Sequence, residues 1–314
     1  MEAMSYFDTN YEVSASYLSI EKGNKQFIGS KENRTCRYCG KTKPDVTFRL
    51  EAHAIPEFTG NKSLIAYDEC DVCNEKFSRL VEDHFGKYLG VLRTLSQVHG
   101  KKGVPTYKGK DGKSRIEMEA AGLHVKGYEE DPIFEINEES KRVTVTAHRQ
   151  PYVPAAVFKC LVKMAIAIAP SSVLGDLQHL CKWILEDSHT YESFPYKPLM
   201  VFEQFTPGPM PYKGITLLLL RRKQSVKDVP YLQFIVAFGN TMYQIVLPMP
   251  QQDKEILKKQ IQLFLFPVPF SEGYEYGKTA VYQLDLSRYE IVRNEPHVMH
   301  MSYESAEKKE TLNN

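Results

Sequence analysis

From Pro154 to Ala169 the apolar positions are nearly unbroken, which predicts a buried helix ending at Pro170. A second helix is expected from about 172 to 187, with Leu174, Leu177, Leu180, Trp183 and Ile184 on its inner side. Upstream, the spacing of Phe77, Leu80, Val81, His84 and Tyr88 predicts another helix, beginning near Asn74. Short strands are expected around 115–125, 132–137 and 141–148, and longer ones around 198–205, 214–222, 231–239 and 242–248. Gly239-Asn240 reads as a hairpin connection, as does Asp111-Gly112. Gln252–Phe264 has the pattern of an amphipathic helix. Residues 1–30 carry aromatic residues without a sustained period, fitting a strand pair or an arm laid on a later domain.

These elements give an α+β chain of 314 residues, long enough for one large domain or two ordinary ones. Its apolar runs, such as Ile215–Leu220, are too short for a membrane span. The stretch Met1–Tyr6 lacks the basic and apolar regions of a secretory signal, so a cytoplasmic location is the default expectation.

Charge adds a polarity. Residues 21–115 hold 19 Lys/Arg against 12 Asp/Glu, whereas residues 116–314 hold 21 against 24. A basic first third suits a polyanionic partner contacted there. Lys101, Lys102, Lys108, Lys110, Lys113 and Arg115 against Asp111 make residues 98–115 a basic connector, able to touch phosphates or simply to be solvated.

Of six cysteines, four form two CxxC pairs, Cys36/Cys39 and Cys70/Cys73. Paired CxxC in a chain without an export signal reads as a structural zinc site rather than as disulfides. Two short turns bring four thiolates around one ion and leave no position open for chemistry. Cys160 and Cys181 stand in apolar sequence and read as core. Thirty residues separate Cys39 from Cys70, more than a simple ribbon needs, so the insert must carry structure of its own.

That insert contains His53-Ala-Ile-Pro56 and then Gly60-Asn61, and Asn74 follows the second pair directly. The order CxxC, His-x-x-Pro, CxxC-Asn resembles the HNH endonuclease family over about residues 34–90. The family's core is a β-hairpin and a helix around one divalent metal. The resemblance implies that His53 is the general base and that Asn74 ligates a catalytic magnesium. It makes Asn61 the middle residue, which orients the base or braces its loop. Members often carry an acidic ligand just before the histidine, where this chain has Ala52. Glu51 shares a strand face with His53 and is one substitute, with Glu57 and Asp83 as others. His84, on the apolar stripe of the helix, reads mainly as packing.

The expected organisation is an arm at 1–30, a zinc-stapled ββα-metal module at 31–97, the connector at 98–115, and a mixed sheet-and-helix domain at 116–314. The expected activity is metal-dependent hydrolysis of DNA, with RNA as a further possible substrate, and by family habit a role in bacterial or phage defence or restriction. Ala52 supports an alternative, a non-catalytic zinc-stabilised nucleic-acid-binding protein. A zinc-stabilised interaction protein without nucleic acid is a third reading. The oligomeric state is not legible.

Overall fold

The computed structural model describes residues 2–19, 24–120, 122–192, 194, 196–257, 259, 261–268 and 276–303. Its largest feature is a six-stranded antiparallel sheet. The strand order is Tyr11–Ser19, Tyr212–Arg222, Leu232–Gly239, Thr241–Val246, Met200–Phe205 and Ala280–Asp285. The N-terminal segment therefore supplies an edge strand to the C-terminal sheet, with Tyr11 opposite Arg222 and Ser19 opposite Ile215.

Both faces of this sheet are covered, which explains its continuous apolar runs. Alternate residues point to opposite sides of a strand. Leu217 and Leu219, with Phe234, Val236 and Phe238, belong to the main core. Leu218 and Leu220, with Ile235 and Ala237, join a second cluster built on Phe7 and Tyr11. Gly239 and Asn240 connect two of these strands as the sequence predicts, with Phe238 paired to Thr241. Gly239 has φ +59°, and a Cβ there would meet a Val98 side-chain atom at 2.8 Å, so the turn excludes larger residues.

The Pro154–Ile168 helix lies in the middle of the molecule with all of its residues buried. One hydrophobic core runs from Ile28 and the cysteine region, through this helix, to Leu286. The connector hairpin also forms. Tyr107–Lys108 pairs with Arg115–Glu119 and Gly112 N–H closes the turn on Gly109, next to a third strand, Gly122–Lys126.

Two expected helices differ. The one expected at 172–187 is split into Ser171–Leu174 and Gln178–Ile184. The break falls at Gly175-Asp176, where the Asp176 carboxylate accepts from the Tyr231 hydroxyl at 2.8 Å. Gln252–Phe264 forms no helix among the described residues. Residues 251–257 are turns and a bend, and residues 259 and 261–268 have no regular structure. Buried sheet glutamines supply backbone partners that a helix would otherwise provide: Gln244 donates to Phe264 O and accepts from Phe266 N–H, and Gln204 donates to Phe266 O. Phe264 and Phe266 cover the second core cluster. Tertiary hydrogen bonds thus outweigh a helical pattern.

Candidate active site and metal centre

The four cysteines meet as their spacing predicts. Cys36, Cys39, Cys70 and Cys73 place their sulfurs within 4.8 Å of one another, three of the four residues being buried. The Cys39 and Cys70 sulfurs are 3.8 Å apart. Ideal tetrahedral geometry at a Zn–S length of about 2.3 Å requires sulfurs about 3.8 Å apart, so the donor set fits one zinc ion. The first turn is closed by Gly40 N–H on Cys36 O, with Gly40 at φ +70°. The second opens the Asp71–Phe77 helix, where Asn74 N–H bonds Cys70 O. A hydrogen bond from Cys73, against burial, and neighbouring backbone N–H groups lower the pKa of the Cys36 thiol. Burial raises that of Cys70, and the hydrogen bond with Cys36, together with burial, raises that of Cys73, so the proton sits on the partner sulfurs until a metal displaces it.

Between the pairs, Ala52–His53 runs antiparallel to Leu64–Ala66, with His53 opposite Ile65. The helix from Asp71 to Leu89, with a π-helical turn at Ser78–Glu82, completes a ββα unit. It starts three residues before Asn74, because Cys70 and Asp71 already adopt the entry geometry. The Asp71 carboxylate accepts the N–H groups of Arg49 and Leu50, tying the entry to the strand before His53.

His53 is partly exposed at this unit. Its Nε2 is 4.0 Å from the Glu57 carboxylate. Its Nδ1 is buried and has no hydrogen-bond partner among the described residues. Burial lowers its pKa; Lys163 adds to that, while Glu57, Glu51 and Glu82 oppose it. The shift favours the neutral imidazole, the form a general base needs.

Asn61 is fully buried and spent on its own loop. It donates to Ile55 O and Leu64 O at 2.8 and 2.9 Å and accepts from Ser63 and Leu64 N–H. It sets the reversal that returns the chain from His53 to the second strand. Asn61→Ala strands these groups, and a loss of about 2–4 kcal/mol is expected by chemical denaturation.

Asn74 is half-buried on the helix, and among the described residues its carboxamide makes no hydrogen bond. Glu51 is exposed and held by Lys25 at 2.6 Å. Asp83 pairs with Lys87 at 2.6 Å. Glu57, though also 3.2 Å from Lys62, is the acidic side chain in reach of His53. His84 Nδ1 accepts from Val153 N–H at 3.1 Å, a structural bond to the start of the central helix. Among the described residues, His, Cys, Asp and Glu donors gather in threes or more at the four cysteines and at the exposed Glu117, Glu119 and His124 of the connector sheet.

The support beneath the histidine is not foreseen from the sequence. Lys163, on the central helix and fully buried, donates to His53 O at 3.1 Å and Ala54 O at 3.3 Å. It lies 3.1 Å from Glu82 and 3.3 Å from the buried Glu69. Burial works against its charge, but the two carboxylates outweigh burial and raise its pKa. The same helix receives Arg37, which donates to Ile166 O and pairs with Asp68 at 2.7 Å. A signal was present: Lys159 and Lys163 interrupt an otherwise apolar helix at i, i+4, and lysines so placed require internal partners.

Residues 36–89 match the family model described as HNH endonuclease. No curated protein and no solved structure matches the chain. The match covers both cysteine pairs, His53, Asn61 and Asn74. It links this segment to nuclease chemistry on nucleic acid and leaves the remaining sheet and helices unassigned.

Proposed function

We propose that the chain is a metal-dependent endonuclease, with His53 as general base, Asn74 as a ligand of a divalent cation, preferably magnesium, and zinc as the staple. The observation that carries this reading is the ββα unit matched to the HNH family, with, on one strand, a histidine whose burial favours its neutral form and, on the helix, a carboxamide that makes no hydrogen bond among the described residues. His53 takes the proton from the water that attacks phosphorus. Asn61 holds the base's loop, and Lys163 fixes the peptide carbonyls of His53 and Ala54. Asn74 and Glu57, with water, would supply the oxygen donors magnesium prefers, and a bound ion would neutralise developing phosphate charge. Glu57 is the proposed replacement for the acid missing at Ala52. DNA is the proposed substrate, in a restriction or defence setting.

His53→Ala is expected to lower magnesium-dependent plasmid cleavage by about 10²- to 10⁴-fold with thermal stability retained. Wild type that leaves plasmid, linear and single-stranded substrates intact in magnesium would overturn the reading. A non-catalytic nucleic-acid-binding role is the second reading, favoured by Ala52 and by the pairing of Glu51 to Lys25. It predicts magnesium-independent binding that Asn74→Ala leaves unchanged.

A further inference from the structure

A groove of about 500 Å³ opens beside the candidate site, between the 78–90 part of the helix and residues 105–108 and 148. Phe58 and Glu82 belong to its wall. Phe58 follows Glu57, the acid nearest His53, and Glu82 is one of the charges that reach the imidazole. The groove therefore lies beside the candidate site, without His53, Glu57 or Asn74 in its lining, and extends to the basic connector.

Its walls are fixed. Arg93 Nε donates to Phe58 O at 3.1 Å, and the guanidinium carbon lies 5.1 Å from the Phe58 ring centroid. Thr94 donates to Pro105 O at 2.7 Å, and Lys62 to Gly100 O at 2.7 Å. Both acids of the groove are neutralised internally, Glu82 by Lys163 and Asp83 by Lys87. The remaining cations are different. Among the described residues, neither Arg93 nor Lys108 has a carboxylate partner, and His148 adds an imidazole to the same lining. Arg93 is half-buried, and burial alone, with no opposing acid, depresses its pKa to about 10. Of its five N–H donors only Nε has a protein acceptor among the described residues. A half-buried guanidinium with four donors open to a groove, and no carboxylate among the described residues to occupy them, suits an anion.

We infer that this groove holds one nucleic-acid strand flanking the cleaved bond, with Arg93 and Lys108 on a phosphate and the Pro105 and Tyr107 side against a base. Its size is that of a small-ligand pocket, enough for a nucleotide or two. A duplex, whose major groove alone is about 12 Å across, does not enter it. Aromatic and proline surface beside cations is the usual platform for an unpaired strand. Of the six connector cations, Lys108 alone lines this groove, so the connector acts through one residue rather than through its summed charge. The inference rests on the nuclease reading for its orientation, but its test does not require cleavage.

The test uses full-length His53→Ala protein and a fluorescent 12-nucleotide oligothymidine, read by anisotropy across a salt series. The parent is expected to bind this strand more tightly than a duplex of equal length. Arg93→Gln should weaken single-strand binding about 10-fold and lower the slope of log affinity against log salt by about 0.7 for each phosphate no longer neutralised. Lys108→Gln, a change at an exposed position that leaves the core intact, should lower the slope in the same way and weaken binding about 3-fold. Unchanged affinity and slope in Lys108→Gln, no binding by the parent, or a preference for duplex would each overturn the inference. A protein that binds as expected while wild type never cleaves sinks the nuclease reading alone. A protein that cleaves while Lys108→Gln binds like the parent sinks the groove alone.

Discussion

Stripping the metal from Cys36, Cys39, Cys70 and Cys73 is expected to unfold the 31–97 segment. The sulfurs are gathered within 4.8 Å, and as thiolates without a cation they would repel one another. Metal binding at such a site contributes about 10–16 kcal/mol of apparent folding free energy. That is as large as the whole stability of a typical domain, about 5–15 kcal/mol. The segment's own strands are two and three residues long, and the rest of its stability comes from the helix after Cys70 and from side chains such as Ile55, Phe77 and Phe85 packed into the main core. Hydrogen exchange across 31–97 should become fast on chelation or in Cys70→Ser, and one zinc per chain should be lost. Cys160→Ala is the control. Cys160 is buried in the central helix outside the cluster, so its variant should keep the zinc. Unchanged exchange protection in zinc-free protein would overturn this expectation.

Lys163→Met should be the most damaging single change outside the cysteines. The ammonium is fully buried between Glu69 and Glu82 and also satisfies two peptide carbonyls. Removing one member of a buried ionic cluster leaves uncompensated charge and costs about 3–5 kcal/mol. At roughly 2–4 °C per kcal/mol for a domain of this size, the melting point should fall by on the order of 10 °C. Burial already raises Glu69 to about 7, against the pull of Lys163, so loss of the lysine leaves that carboxyl to be protonated or expelled. Lys163→Met combined with Glu69→Gln and Glu82→Gln should recover part of the loss, because the remaining groups are neutral. A triple variant less stable than Lys163→Met, beyond additivity, would show that the charges are not coupled.

Much of the candidate site was legible in the order of residues alone. Both CxxC pairs, the strand at His53 and the helix after Cys73 are local patterns. A CxxC turn needs only four consecutive residues, so its sequence carries its geometry. The connector hairpin at Asp111-Gly112 and the turn at Gly239-Asn240 were legible for the same reason. The 252–264 segment was not. Its apolar period is real, but the backbone at its end, at Phe264 and Phe266, is hydrogen-bonded by Gln244 and Gln204 on sheet strands remote from the segment in the chain. For Glu51, alternation places it on the His53 face and its charge reaches the imidazole, while its pairing with Lys25 from another segment was not legible.

By itself the sequence determined the four-cysteine donor set and the local elements that carry it, while His53 as candidate base came from the resemblance to the HNH family. The donor set and its elements follow from residue type and short spacing, which fix chemistry and local dihedrals. Only the tertiary structure decided that Lys163 supports His53, that residues 11–19 complete the C-terminal sheet, and that Arg93 and Lys108 face one groove. These depend on pairings between residues far apart in the chain, as Tyr11 and Arg222 are. Such pairings are selected by burial and by the need to match every buried charge, and no local pattern encodes them.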